Sequence, residues 1–277
     1  MALNPVAYTE KVVRSFLKYQ LSTYPFADAS FHSQMRTLLS LDHTRRTPLM
    51  KGPYVSLSRP FREGAAIKSL AGQGILHPSM TGLVSHATLY GHQEAAVRAI
   101  HDGKHTLVST GTGSGKTECF LYPIISKCLA LKDQNAAPGI SAVLVYPMNA
   151  LAEDQLGRLR ELLAGTGITF AMYVGKTPEK KADVAGQRLR AGASRADYRA
   201  ALKKAQEQRQ EVAVHPAEER CSREELREPG GQPRILLTNV KMLELLLTRQ
   251  KDVELFDNAR LDFLVFDEAH TFAGAQG

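Results

Sequence analysis

Hydrophobic and polar positions follow two rhythms along the chain. Up to about residue 84, apolar residues recur at helical spacing and are then interrupted by prolines. Residues 9–19 bring Val12, Val13, Phe16 and Leu17 onto one face, and residues 30–41 do the same with Phe31, Met35, Leu38 and Leu39. A turn is expected at 23–26, around Pro25, an extended stretch at 48–60 and one short helix at 63–70. Residues 1–84 thus read as a small helical accessory region, with no combination of side chains that does chemistry.

From His86 onward, short apolar runs alternate with amphipathic stretches. Strands are expected at 106–110, 142–146, 169–174, 235–238 and 263–266, and helices at 93–101, 117–131, 150–163 and 241–249. Unbroken apolar strands separated by helices imply an α/β fold, a parallel sheet covered on both faces. Residues 178–233 interrupt this domain of residues 85–277: Ala, Arg, Lys, Gln and Glu dominate and the apolar stripe is thin. Two readings stand there, a solvated helical insertion with some disorder or a mobile basic arm lying on nucleic acid.

Composition narrows the class. With 43% hydrophobic and 23% charged residues among 277, wholesale disorder is excluded. No apolar run approaches the roughly 18 residues of a membrane span, and residues 1–5 show no secretory pattern. Cys119, Cys128 and Cys221 are too few and too scattered for a disulfide framework or a Cys-x-x-Cys zinc site. A cytoplasmic protein without a membrane partner is expected. The net charge of +7 permits a polyanionic partner without requiring one.

Two runs carry chemistry. Thr110-Gly-Thr-Gly-Ser-Gly-Lys-Thr117 follows an apolar run and opens a helix. A phosphate chain needs inward-pointing backbone N–H groups with no Cβ in the way, which Gly111, Gly113 and Gly115 permit, and the helix N-terminus adds its dipole. Lys116 is placed to reach the β- and γ-phosphates and Thr117 to bind Mg²⁺, with Thr110, Thr112 and Ser114 completing the loop. Thr110 stands where the strict pattern has glycine. In the second run, Phe263-Leu-Val-Phe-Asp-Glu-Ala-His270, an apolar strand ends in two carboxylates. Asp267 is expected to hold Mg²⁺ through water and Glu268 to orient the attacking water.

Together the two runs resemble superfamily 2 helicases of the DEAD/DEAH-box kind, over about residues 86–277. Further stretches agree in order. Leu89-Tyr-Gly-His-Gln93 resembles the Q motif, whose glutamine, here Gln93, reads the adenine edge. Tyr146-Pro-Met-Asn149 and the following residues to Gln155 resemble motif Ia, Tyr173-Val-Gly-Lys-Thr177 a glycine–threonine turn, and Leu237-Thr-Asn-Val-Lys-Met-Leu243 motif Ib. By that resemblance Pro147, Asn149, Gly175, Thr177, Thr238 and Asn239 are expected along the phosphodiester backbone of one strand, DNA in preference to RNA. By residue chemistry alone, 147–149 and 238–239 also suit ordinary helix capping, and Gly175 an ordinary turn. The aromatic that stacks on adenine in some helicases has no clear counterpart: Leu76 and His77 lie near that spacing, and Tyr90 is the expected ring. The likeness extends to large bacterial helicases with a C-terminal zinc-binding module, including mitomycin-repair and phage-defence relatives.

The resemblance implies a first RecA-like domain of an ATP-dependent helicase or translocase, with ATP and Mg²⁺ as cofactors. Two other classes stay open. A P-loop phosphotransferase would want an arginine lid and a substrate acid in place of motifs Ia and Ib. A binding module would grip nucleic acid without turnover. The chain reaches Gly277 seven residues after His270, before any Ser-Ala-Thr motif or second RecA-like domain. A C-terminally truncated fragment is therefore expected, with little turnover of its own and an unpaired sheet edge or exposed apolar face.

Overall fold

A computed structural model describes residues 4–23, 25–39, 60–111, 113–208 and 213–272. Thr112, residues 40–41 of the second expected helix and 48–59 of the expected extended stretch lie outside them. The chain divides into two units, residues 1–60 and 61–277. The first holds helices α1 (Pro5–Thr23) and α2 (Ala29–Leu39), as their apolar spacing predicts. Asp28 caps α2, its Oδ1 accepting from the Phe31 N–H at 2.9 Å.

The second unit starts 24 residues earlier than the expected boundary at 84/85, because residues 61–84 fold with the larger unit. Strand β1 (Glu63–Ala66) and helices α3 (Ile67–Gly72) and α4 (Met80–Leu83) lead to β2 (Thr88–Tyr90), which pairs antiparallel with β1. The expected helix at 63–70 is therefore half strand: the β2 backbone satisfies the start of that run, and the helix begins only at Ile67. Ile67, Leu70, Leu76 and Met80 are buried in the main core.

Helices α5 (Gly91–His101) and α6 (Lys116–Asp133) precede β3 (Ala142–Tyr146), α7 (Asn149–Leu163) and β4 (Phe170–Tyr173). Next come β5 (Gln187–Arg188), α8 (Arg195–Glu207), β6 (Val214–His215), β7 (Glu219–Arg220) and α9 (Arg223–Arg227). Strand β8 (Ile235–Asn239), helix α10 (Val240–Thr248) and strand β9 (Phe263–Phe266) complete the unit. The main sheet is parallel, in the order β7-β4-β8-β3-β9. Successive residues point to opposite faces. Ala142, Leu144 and Tyr146 of β3 join Ile235 and Leu237 of β8 under α5, α6 and α7, while Val143, Val145 and Leu236 face Met242 and Leu246 of α10. Both faces are covered, which is why these strands read as continuous apolar runs.

The expected strand at 106–110 does not form. Its composition is β-like, but a strand exists only where neighbours accept its backbone hydrogen bonds, and no described strand pairs with it. Leu107 is 85% exposed. At the same edge of the sheet, β9 pairs among the described residues with β3 alone. Leu264 and Phe266 on its exposed register are 58% and 48% accessible.

The segment at 178–233 is neither a mostly solvated helix nor a free arm among its described residues. Strands β5 and β6 pair with each other, β7 extends the main sheet beside β4, and α8 lies on α7. Tyr198, Ala205 and Val214 form a small core with Ala164. Ion pairs replace the missing apolar stripe: Arg160 with Glu219, Arg188 with Glu225, and Arg227 with Asp252. Ser194 and Ser222 cap α8 and α9 through reciprocal bonds with Asp197 and Glu225. Among the described residues no helix is long and apolar enough to cross a membrane.

Candidate functional site

The site sits where the parallel strands end. Gly115, at φ +75°, caps the N-terminus of α6, and Gly113 is also left-handed at φ +72°. This backbone turns the first N–H groups of α6 outward as an anion cradle, with Lys116 and Thr117 as its first two helical residues. A Cβ on Gly115 would collide with the side-chain amide of Gln93. Within the loop, the Thr110 and Ser114 hydroxyls meet at 2.7 Å, and Ser114 is fully buried. That bond closes the loop from within, which explains why a hydroxyl residue serves at the position of the usual first glycine.

Across the cleft, Asp267 and Glu268 follow β9. The Asp267 N–H still donates to Val145 O, so the strand end is held to β3. Asp267 Oδ1 accepts from the Glu268 N–H at 2.9 Å, and Glu268 adopts φ +50°. Burial pushes the Asp267 carboxyl up, the hydrogen bond from the Glu268 N–H and the charges of Lys116 and Arg158 pull it back, and the Glu268 charge adds a smaller rise. Glu268 Oε2 lies 3.3 Å from His270 Nδ1, whose ring is largely exposed. Thr110, Lys116, Asp267 and Glu268 line one open cleft of about 740 Å³, shared with the unpaired lead-in at 103–109. The two runs, about 150 residues apart in sequence, meet there.

The base side of the loop holds a feature that motif reading missed. Gln93 is buried, its Oε1 accepting from the Tyr90 N–H at 2.8 Å and its Nε2 donating to Gly115 O at 2.9 Å. His92 Nε2 meets Ser114 O at 2.9 Å. Phe61 packs on both Tyr90 and His92, with ring centroids 5.2 and 5.5 Å apart, and Tyr90 stacks on His92. Phe61 and Tyr90 each remain 41% exposed beside the phosphate loop. Of the residues near the expected stacking position, Leu76 is buried and His77 pairs with Asp133. Phe61 carries no motif; only the β1–β2 pairing brings it near Tyr90.

The expected strand-binding residues follow β3 and β4 and end β8, at the same end of the sheet. Pro147 leads into α7, and Asn149, its first residue, accepts at Oδ1 from Asn239 Nδ2 at 2.7 Å. Asn239 also caps α10 by accepting from the Met242 N–H. Gly175 is exposed on the turn after β4. Two residues face inward instead. The Thr238 hydroxyl is buried and donates to Tyr173 O at 2.8 Å, bridging β8 to β4, and the Thr177 hydroxyl donates to Met172 O within its own turn. Their side chains shape the loops, and the exposed residues there are Met148, Gly175, Lys176 and Lys241, with Asn149 and Asn239 half-buried between them.

One group of potential metal ligands exists among the described residues: His215, Glu219 and Cys221, all with ligand atoms within 4.8 Å. Arg160 already occupies it, donating to both Glu219 oxygens at 2.6 and 2.7 Å, and burial pushes the Cys221 thiol up to about 12. The bidentate guanidinium makes this an ion-pair clasp between α7 and β7.

The geometry is that of a RecA-like α/β domain with a P-loop opening α6. Residues 90–191 match the model of the DEAD/DEAH box helicase family. It is 27% identical to the Druantia protein DruE of Escherichia coli over 94% of this chain and 18% of that protein. To the uncharacterized ATP-dependent helicase YprA of Bacillus subtilis it is 27% identical over 68% of this chain and 19% of YprA. The structure of the DUF1998 helicase MrfA bound to DNA shares the fold, with a TM-score of 0.50 and 22% identity over 78% of this chain and 24% of MrfA. The chain thus spans about a fifth of the length of these relatives.

Proposed function

We propose that this chain is the nucleotide-binding domain of an ATP-dependent nucleic-acid helicase or translocase. The observation that carries the reading is the meeting of Lys116 and Asp267–Glu268 in one cleft, at the strand ends where parallel α/β sheets bind ligands. The residues fit Mg²⁺–ATP: the glycine cradle has no room for a Cβ at Gly115, Thr117 opens the helix, and Asp267 faces the Lys116 charge. Thr117 and Asp267 would hold the metal, and when bound it supplies charge for phosphoryl transfer. Lys116 neutralises phosphate charge that the backbone dipoles leave uncompensated. Glu268 is the carboxylate available to orient a water, and His270 Nδ1 lies 3.3 Å from its Oε2. Phe61 and Tyr90 offer the base a flat apolar surface.

The strand partner is nucleic acid held by its backbone, with DNA preferred over RNA on the motif resemblance. Exposed backbone, Gly175, Asn149 and Asn239 offer amides without forked side chains for base edges. Full turnover is assigned to a second RecA-like domain acting in cis, whose arginine contributes on the order of 10³ to 10⁵ in rate. The test is titration of the 277-residue chain with a fluorescent ATP analogue and with labelled DNA and RNA of one sequence, followed by an ATPase assay. Binding of nucleotide and strand with negligible turnover is expected. Failure to bind either ligand would remove the reading, and robust turnover by this chain alone would remove the role given to a second domain.

A further inference from the structure

We propose that Arg158 is a positioning residue that ties the nucleotide cleft to the strand-binding loops through helix α7. The proposal rests on the function argued above and concerns how its two sites communicate.

In the sheet, β3 lies between β8 and β9. The end of β3 therefore separates Asn239, on the strand-binding side, from Asp267, on the nucleotide side. Helix α7 starts at that end and is fastened to the end of β8 and to the first turn of α6. At its first residue Asn149 accepts from Asn239 at 2.7 Å. Nine residues later, about 13 Å along the axis at the helical rise, Arg158 Nη2 donates to Glu118 Oε1 at 2.5 Å. A helix held at two points moves as a rod.

Glu118 is what makes the second fastening specific. It follows Thr117 in the first turn of α6, and its Oε2 lies 2.9 Å from where a Cβ on Gly115 would stand. A carboxylate suits a helix N-terminus by itself, but beside a triphosphate it is repulsive. The Arg158 guanidinium offsets that charge, and it also acts on Asp267, whose carboxyl burial pushes up. The pair is partly exposed, 37% for Arg158 and 17% for Glu118, so as a plain stability staple it contributes about 0–1 kcal/mol. Its position is more telling: phosphate arriving at the α6 N-terminus changes the field on Glu118, and Arg158 is the group of α7 that feels the change. A shift of α7 then moves Asn149 against Asn239. Coupling between two ligands requires such an element, contacted by both sites.

The experiment measures strand affinity with and without nucleotide. A fluorescein-labelled oligo-dT is titrated by anisotropy with the 277-residue chain, alone and saturated with Mg²⁺ and a non-hydrolysable ATP analogue. Nucleotide is expected to change the affinity of the unmodified chain by about fivefold or more, the usual scale of coupling. In Arg158→Met, strand affinity without nucleotide should stay within about twofold of the unmodified chain while the nucleotide effect falls to near onefold; a residue that only stabilised the fold would leave that ratio unchanged. Arg158→Lys, which keeps the charge, should restore part of the effect, and Glu118→Gln should lose it from the other partner. Coupling that persists in Arg158→Met, or no coupling in the unmodified chain, overturns the proposal. No binding of nucleotide or strand by the unmodified chain overturns the parent function instead.

Discussion

The side-chain amide of Gln93 donates to the carbonyl of Gly115 at 2.9 Å, so the phosphate loop is braced from the helix that precedes it. The other end of the amide accepts from the Tyr90 N–H, and both ends of Gln93 are engaged within the protein. Gly115 permits the contact because it has no Cβ and sits at φ +75°. Gly115→Ala is expected to add about 1–2 kcal/mol of left-handed strain and to displace Gln93. Nucleotide affinity should drop sharply while circular dichroism still reports a folded chain. Unchanged affinity would mean that the brace is incidental.

Lys116 and Glu268 are expected to separate binding from turnover. Lys116→Ala should weaken binding of a fluorescent ATP analogue by about 10- to 100-fold, the scale of a hydrogen bond to a charged group. Glu268→Gln should leave that affinity within about threefold, because a water-orienting carboxylate acts on the attacking group. Equal losses in the two variants, measured by equilibrium titration, would mean that the roles are wrongly divided.

Phe61 gives a third expectation, one tied to the base. Phe61→Ala should lower affinity for ATP by about fivefold, near 1 kcal/mol, with little change for inorganic triphosphate. Competition against the fluorescent analogue measures both. A matching loss for triphosphate would place the effect in the loop, not in stacking.

Strand binding should be steeply salt-dependent and indifferent to sequence. The loops at the ends of β3, β4 and β8 present Gly175, Asn149 and Asn239 beside the exposed ammonium groups of Lys176 and Lys241, which suit phosphates. Unrelated oligonucleotides of one length should agree within about tenfold at fixed salt, or roughly 1.4 kcal/mol. A wider spread in anisotropy titrations would require a base-reading side chain.

The clasp between Arg160 and Glu219 predicts an acid-sensitive fold. Burial pushes the Glu219 carboxyl up most strongly, but hydrogen bonds from His215 and Arg160 outweigh it and the net shift is down. A carboxyl lowered on folding stabilises above its unfolded value, about 4.3, and that contribution is lost as pH falls through the lower folded value. Urea unfolding should therefore show stability falling below about pH 4.3. Arg160→Met, which strands the buried carboxylate, should destabilise by about 3 kcal/mol at pH 7 and flatten the acid limb. An unchanged acid limb would assign the pH dependence to other carboxyls.

The amino-acid sequence by itself determined the features whose physics is local. A glycine loop ahead of a helix, two carboxylates ending an apolar strand, and strands buried on both faces each declare themselves within a dozen residues. The loop, β3, β4, β8 and β9 accordingly fall where their patterns predict. Tertiary structure decided whatever depended on a distant partner. Residues 106–110 have strand composition, but among the described residues they form no ladder and stay unpaired. Residues 178–233 look solvated because their burial is ionic: Arg160 and Glu219 lie 59 positions apart, and no periodicity reveals such a pair. The capping boxes at Ser194 and Ser222 were the local signal that this segment is ordered. Phe61 joins the base side of the site, and the Thr238 hydroxyl turns inward, through sheet pairing alone. A side chain's type is written in the sequence, but the groups it meets depend on how the backbone pairs, and pairing joins positions far apart along the chain.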